Sequence, residues 1–152
     1  MKTVLDASVA LAWLLVRTDR SEAMLARHLL DQSQHFQIHV PRHWHAEVGN
    51  GALRIQRAGA ATSEEATAFI HGVVRLAAIP DRPPTAHDWR KTHHIALTHG
   101  LTVYDAAYVE LAVRSRSDLA TFDKKLADAA RVCGVAVLGQ PHGVAEPMAV
   151  YG

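Results

Sequence analysis

The feature that most constrains the fold is a series of short apolar segments, each followed by a helix-forming stretch. Residues 2–5, 38–40, 118–122 and 135–138 have the length and apolar character of buried strands. Alternation of such strands with helices predicts a parallel sheet covered by helices on both faces. We therefore predict an α/β fold whose ligand binds beyond the carboxyl ends of the strands.

Helical patterns fill the segments between the predicted strands. They span residues 7–16, 21–30, 43–57, 63–76, 85–100, 104–114 and 124–132. The prolines at 80, 83 and 84 predict a rigid connection rather than a domain boundary, because no long polar linker surrounds them. We predict one domain over residues 1–138 and a C-terminal tail over residues 139–152, where Gly, Pro and His are frequent.

Composition narrows the class of protein. A chain of 152 residues with 49% hydrophobic and 20% charged residues suits a single folded domain rather than a disordered one. Its single cysteine excludes an internal disulfide framework, and no apolar run has the roughly 20 residues that span a bilayer. We expect a cytoplasmic protein without a membrane partner. The net charge of +1 argues against a uniformly basic coat for nonspecific nucleic-acid binding, but it allows a local basic rim.

Four carboxylates lie in otherwise apolar surroundings, and they are Asp6, Glu47, Asp105 and Asp123. Asp6 and Asp123 follow predicted strands, so they are expected at one edge of the sheet. Carboxylates that lie close together repel, and a divalent cation removes that penalty. Oxygen ligands of this kind suit Mg²⁺ or Mn²⁺ rather than zinc.

The aspartates have a second explanation. Asp6, Asp105 and Asp123 each lie at the beginning of a predicted helix, where aspartate is a preferred N-cap residue. Capping and metal binding are compatible, and the sequence leaves both open.

The sequence around these acids resembles the PIN-domain ribonucleases, and within them the VapC-type toxins of bacterial toxin–antitoxin pairs. The matching segments, in chain order, are Val4-Leu5-Asp6-Ala7-Ser8-Val9-Ala10, Glu47 with Asn50, Leu101-Thr102-Val103-Tyr104-Asp105-Ala106-Ala107-Tyr108, and Leu119-Ala120-Thr121-Phe122-Asp123-Lys124-Lys125-Leu126. Each segment alone is a weak signal, but four in the family's order form a specific one. The resemblance extends to about Leu138.

This resemblance implies a PIN-like, Rossmann-like α/β/α fold with a short parallel sheet. It also implies an endoribonuclease that depends on Mg²⁺ or Mn²⁺ and leaves a 5′-phosphate and a 3′-hydroxyl. The implied partners are an RNA substrate (tRNA or another structured RNA), a second copy in a homodimer, and a VapB-type antitoxin whose C-terminal segment occupies the cleft.

The resemblance also assigns roles to individual residues. Asp6, Asp105 and Asp123 are the expected metal neighbours, directly or through water, and Glu47 is expected to orient or deprotonate the attacking water. The residues expected to support these carboxylates are Ser8, Asn50 and Thr121. Lys124 and Lys125, which follow Asp123, are candidate RNA contacts.

The two glycines in the predicted helix of Glu47 depart from the family pattern, and neither the histidines nor the single cysteine supports a separate site. Gly49 and Gly51 flank Asn50 inside a helix, where each glycine costs about 1 kcal/mol relative to alanine. They predict either a close approach of another backbone or a loose helix around Glu47. The histidines lack zinc-site spacing and are expected on the surface, and Cys133 is expected to be a small buried hydrophobic residue.

Other functions remain open from the sequence. The same acids would serve a PIN nuclease of RNA processing without a toxin partner. A phosphatase with an aspartate nucleophile usually has a second aspartate two residues after the first, but this chain has Ser8 there. A noncatalytic regulatory or binding module with N-capping aspartates is the third alternative.

Overall fold

The computed structural model describes residues 1–140 of the chain. Its strands are β1 (Lys2–Leu5), β2 (Gln37–Val40), β3 (Ile79–Pro80), β4 (Asp118–Ala120) and β5 (Val137–Leu138). Its helices are α1 (Ala7–Leu11), α2 (Arg20–Asp31), α3 (Trp44–Arg57), α4 (Ser63–Arg75), α5 (Ala86–His99), α6 (Val103–Ser115) and α7 (Lys124–Val132), with a short 3₁₀ helix at Ser33–His35.

The five strands form one parallel sheet in the order β3-β2-β1-β4-β5. In the central strand, Val4 pairs with His39 of β2 and with Leu119 of β4. The predicted α/β fold with a short parallel sheet is confirmed. Because β1 lies between β2 and β4, the side chains that follow β1 and β4 meet at one edge of the sheet.

The core lies on both faces of this sheet. Consecutive residues of a strand point to opposite faces, and Thr3, Val4 and Leu5 are all buried. Leu119 and Ala120 of β4 are also consecutive and fully buried. Helices therefore cover both sides of β1 and β4, and ligands have access only at the ends of these strands.

Local signals place both ends of α5 where the sequence predicted them. Thr85 accepts a hydrogen bond from the backbone N–H of Asp88, whose carboxylate accepts one from the N–H of Thr85. Gly100 ends α5 in the left-handed region at φ 64°. None of the described helices is long and apolar enough to span a membrane.

Three strands and one α-helix differ from the sequence prediction by two or more residues. Strand β4 ends at Ala120 instead of Phe122, and β5 begins at Val137 instead of Val135. The two-residue strand β3 lies at Pro80, where the sequence predicted only a rigid connection. The first helix ends at Leu11 instead of Val16, and the chain continues in turns in which the N–H of Ala12 and Trp13 bond three residues back. Of the predicted tail, residues 139 and 140 are described and the rest lies outside the described residues.

Candidate active site

Asp6 follows the last residue of β1 and lies at the centre of the candidate site. Its backbone N–H donates to the carbonyl of Ala120, which extends the pairing of β1 with β4 by one residue. Its side chain is buried with 4% exposure. One carboxylate oxygen, Oδ2, accepts hydrogen bonds from Ser8 Oγ at 2.6 Å and from Thr121 Oγ1 at 2.7 Å.

Both hydroxyls that bond Asp6 also hold the end of β4. Ser8 Oγ accepts the backbone N–H of Phe122 at 3.1 Å, and Thr121 Oγ1 accepts the N–H of Asp123 at 3.0 Å. Each hydroxyl therefore donates to Asp6 and accepts from the chain after β4. Ser8 and Thr121, which the sequence predicted to support the carboxylates, are placed where they fix the Asp6 side chain.

Glu47 lies in the first turn of α3, half-buried. Its Oε1 accepts a hydrogen bond from the hydroxyl of Tyr108 at 2.8 Å, and Nε2 of His43 lies 3.5 Å from the same oxygen. The N-terminal end of a helix favours a negative charge, so the dipole of α3 stabilises the ionised form of Glu47.

Asp105 lies in the first turn of α6, where Thr102 is the N-cap residue. Burial raises the pKa of Asp105, and the charges of Asp123 and Glu47 raise it further, while His43 acts in the opposite direction. Asp105 thus lies, like Glu47, at the N-terminal end of a helix, where a negative charge is favoured.

The structure separates the two explanations of the aspartates. Asp123 caps α7, because its carboxylate accepts the N–H of Leu126 at 3.0 Å. Asp6 occupies the N-cap position of α1 but its side chain forms no capping bond. Asp105 lies inside α6, which Thr102 caps. Capping accounts for Asp123 alone, so the apolar settings of Asp6 and Asp105 need another explanation.

The four acids act on one another electrostatically. Burial raises the pKa of Asp6 to about 6, and Glu47 and Asp105 add to the rise. Asp105 is raised in turn by Glu47 and Asp123. Within residues 1–140, Asp6, Asp105 and Asp123 have no cationic side chain in an ion pair with them. Among the described residues, three of these four carboxylates therefore have no cationic partner, and His43 is within ion-pair distance of the fourth, Glu47.

A hard divalent cation fits this donor set, which consists of carboxylate and hydroxyl oxygens. In the described part of the chain, no three His, Cys, Asp or Glu side chains are arranged to hold one metal ion directly. Mg²⁺ commonly keeps several of its waters and uses one or two carboxylates. The geometry is therefore compatible with an ion held largely through water, as the sequence prediction allowed.

The remaining predicted residues lie at the margin of the cluster. Asn50 is exposed on α3, and no hydrogen bond joins it to an acid in the described chain. Lys124 and Lys125 are exposed at the start of α7, next to Asp123. Lys124 pairs with Asp128 at 2.8 Å, and the ammonium of Lys125 lies beside Gly100.

Sequence reasoning assigned no role to Tyr108 and expected His43 on the surface. Tyr108 is fully buried and bonded to Glu47, and the His43 side chain is only 25% exposed. The spacing of His43 and Glu47, four residues apart on a helix, is a signal that could have linked them. No local signal links Tyr108 to Glu47, because they lie 61 residues apart.

The model of the PIN domain family matches residues 3–132. The chain belongs to the PIN domain family. This PIN domain is 34% identical to ribonuclease VapC3 of Pyrobaculum aerophilum over 128 residues, which are 84% of this chain and 94% of the relative. A match of that length and identity places it in the VapC group, so the resemblance seen in the sequence is confirmed.

Solved structures agree with the fold of this PIN domain. PAE2754 from Pyrobaculum aerophilum superposes with a TM-score of 0.66 at 21% identity, covering 91% of this chain and 84% of that one. VapBC2 from Rickettsia felis, bound to a DNA fragment from their promoter, gives a TM-score of 0.60 at 13% identity, with 90% and 97% covered. At 21% and 13% identity, these superpositions show that the proteins share a fold and no more than that.

Proposed function

We propose that this PIN domain is a metal-dependent endoribonuclease, the toxin of a VapBC-type pair, that hydrolyses RNA phosphodiester bonds. The observation that carries the proposal is the convergence of four carboxylates at the ends of β1 and β4 and in the first turns of α3 and α6, where two of the other acids raise the pKa of Asp6 and two raise that of Asp105. The relationship to ribonuclease VapC3 supports RNA as the substrate.

In this proposal Asp6, Asp105 and Asp123 hold Mg²⁺ or Mn²⁺, partly through water. A cation bound there would lower the pKa of a bound water and neutralise charge on the phosphodiester. Glu47 orients the attacking water and receives its proton. Ser8 and Thr121 keep the Asp6 carboxylate in one rotamer. The exposed Lys124 and Lys125 are the proposed phosphate contacts.

The proposed protein partner is suggested by a solved structure that shares the fold. VapBC2 of Rickettsia felis shares the fold, and its name supports a VapB-type antitoxin as the partner of this chain. A homodimer and a structured RNA such as tRNA stay predictions, as does a cytoplasmic location.

The test is cleavage of a labelled structured RNA by the purified protein. We expect cleavage with Mg²⁺ or Mn²⁺ and none with a chelator. Asp105→Asn should lower the rate by at least about 100-fold without unfolding the domain, a loss typical of a preorganised electrostatic group. The matched control is Asp31→Asn, which changes an exposed aspartate paired with Arg27 at the end of α2.

Two outcomes would overturn the proposal. The first is undiminished cleavage by Asp105→Asn after contaminating nuclease has been excluded. The second is cleavage that a chelator does not affect. Titration of Mn²⁺ by calorimetry adds a readout independent of RNA, since Asp105→Asn should weaken binding and Asp31→Asn should not.

A further inference from the structure

The hydroxyl of Tyr108 occupies a central place in the candidate site. Tyr108 lies one turn after Asp105 on α6, with 0% exposure. Its hydroxyl donates to Glu47 Oε1 at 2.8 Å, and the backbone N–H of Ala7, the residue after Asp6, faces the same hydroxyl. One buried oxygen therefore connects the helix that bears Glu47 with the chain that follows β1.

The electrostatic surroundings keep the proton on this hydroxyl. Burial raises the pKa of Tyr108 above its usual value, and the charges of Asp6 and Glu47 raise it further. A tyrosine that stays protonated acts as a hydrogen-bond donor to a neighbouring carboxylate. Tyr108 is therefore the donor of this hydrogen bond, and the Glu47 carboxylate is the acceptor.

His43 approaches the same carboxylate oxygen from α3. Its Nε2 lies 3.5 Å from Glu47 Oε1, and its ring meets the ring of Tyr108 edge-on, with the centroids 5.6 Å apart. Tyr104 packs against the same imidazole at 5.4 Å. Glu47 Oε1 therefore accepts a hydrogen bond from Tyr108 and lies near His43 Nε2, which is buried and forms no hydrogen bond in the described chain.

We infer that Tyr108 and His43 are positioning residues that hold Glu47 in one rotamer through Oε1, Tyr108 by a hydrogen bond and His43 by a polar contact at 3.5 Å without a hydrogen bond. Within residues 1–140, no hydrogen bond engages Oε2, the other oxygen, and it is the one available to the reacting water. A free glutamate side chain samples several rotamers, and fixing one before reaction removes that entropy from the reaction step. This inference rests on the proposed role of Glu47 in the nuclease.

Tyr108 does not touch substrate, because it is fully buried. Its removal should therefore change turnover rather than substrate affinity. We expect Tyr108→Phe to lower kcat about 10-fold or more and to leave KM within about 2-fold, as for a misplaced catalytic group. The matched control is Tyr104→Phe, on the same helix and against the same imidazole but 65% exposed, which should change neither constant.

A double-mutant cycle separates positioning from a structural role. In a Glu47→Gln background, Tyr108→Phe should have less than about a 2-fold effect on kcat, because effects of coupled residues do not add. His43→Phe keeps a ring in place without its nitrogens and should show the same coupling. Urea unfolding shows whether Tyr108→Phe folds. If it does not, His43→Phe takes its place in the double-mutant cycle.

The inference is overturned if Tyr108→Phe leaves kcat unchanged, or if it lowers kcat by the same factor in both backgrounds. A wild-type protein that cuts no RNA refutes the proposed function instead. Positioning then remains testable by the side-chain carboxyl resonance of Glu47 in an NMR spectrum. Tyr108→Phe should shift that resonance and Tyr104→Phe should not, and an unchanged resonance in Tyr108→Phe would overturn positioning independently of activity.

Discussion

At the scale of single residues, the surroundings of Asp6 disfavour a charged side chain. Asp6 is buried, it faces Glu47 and Asp105, and only the hydroxyls of Ser8 and Thr121 stabilise its charge. Together these effects raise its pKa to about 6. A rise of that size corresponds to about 3 kcal/mol of destabilisation once the carboxylate is ionised.

This environment predicts a pH-dependent gain of stability when Asp6 is replaced. Between about pH 4 and pH 6 the folded state retains a proton that the unfolded state has lost, so stability falls as pH rises through this window. Above about pH 6 the penalty is complete. Asp6→Asn keeps an oxygen for the two hydroxyls, and without metal it should stabilise the domain by about 3 kcal/mol at about pH 7.5.

Urea unfolding without divalent cations measures this difference. The gain should shrink to about 1 kcal/mol at about pH 4.5, where the folded state keeps the Asp6 proton and the unfolded state has lost most of it. The exposed Asp31→Asn should show no such trend. A gain in Asp6→Asn that is equal at both pH values would contradict the electrostatic origin.

The predictability of the site from sequence differs among its residues. Ser8 lies two residues after Asp6, the acid that it bonds, so one local motif includes both. Thr121 lies two residues before Asp123 but donates to Asp6, 115 residues away, so its motif shows a hydroxyl near an acid and not the acid that it supports. The bond between Tyr108 and Glu47 depends on how α6 packs against α3, and no local pattern encodes that packing. His43 is intermediate, because helical spacing places it beside Glu47 but does not show that the ring is half-buried.

At the scale of elements, the two glycines of α3 have different environments. A Cβ built on Gly51 would overlap the δ carbons of Leu11 on α1, whereas one on Gly49 has nothing within 4 Å. Gly51 therefore allows α1 to pack closely on the helix that bears Glu47. The sequence predicted a close approach of another backbone or a loose helix, and the structure instead places the side chain of Leu11 against Gly51.

This difference predicts opposite effects of the same substitution. Gly49→Ala should stabilise the domain by about 0.5–1 kcal/mol, because alanine favours the helix and meets no neighbour. Gly51→Ala receives the same helix preference, but it must displace Leu11 and should be neutral or destabilising. Urea unfolding of both variants is the measurement. A stabilising Gly51→Ala, equal to Gly49→Ala, would show that α1 does not restrict α3.

The elements that sequence reasoning missed are those that tertiary contacts define. Strand β3 has two residues, one of them Pro80, and it exists because it pairs with β2 at the edge of the sheet. The end of α1 is set by the turn that brings Trp13 to α2, where its indole N–H donates to the carbonyl of Ala26 at 2.8 Å. Apolar character continues to Val16, so periodicity alone extends the helix too far.

At the scale of the whole molecule, an ion-pair network holds α5, α6 and the residue after β3 together. The guanidinium of Arg114 bonds Glu110 through Nε at 2.8 Å and Asp81 through Nη2 at 2.5 Å. Its Nε also lies 3.7 Å from Asp88, which pairs with Arg82. Glu110 and Asp88 are buried, and the carboxylates of Glu110 and Asp81 raise the pKa of Arg114.

This network also affects the candidate site, because α6 carries Asp105 and Tyr108 together with Glu110 and Arg114. Replacing Arg114 would leave the buried Glu110 without its cation. Removing one partner of a buried pair is far more costly than losing an exposed pair, since the remaining charge stays desolvated. The network thus joins the stability of the fold to the placement of the acids on α6.

We therefore expect Arg114→Met to lower the free energy of unfolding by about 3 kcal/mol, although methionine preserves much of the apolar stem. Arg27→Met removes a similar side chain from an exposed pair with Asp31 on α2 and should cost less than about 1 kcal/mol. Urea unfolding at neutral pH compares the two. Equal losses in both variants would mean that the Arg114 network contributes no more than a surface ion pair, and that apolar packing alone holds α6 in register with the sheet.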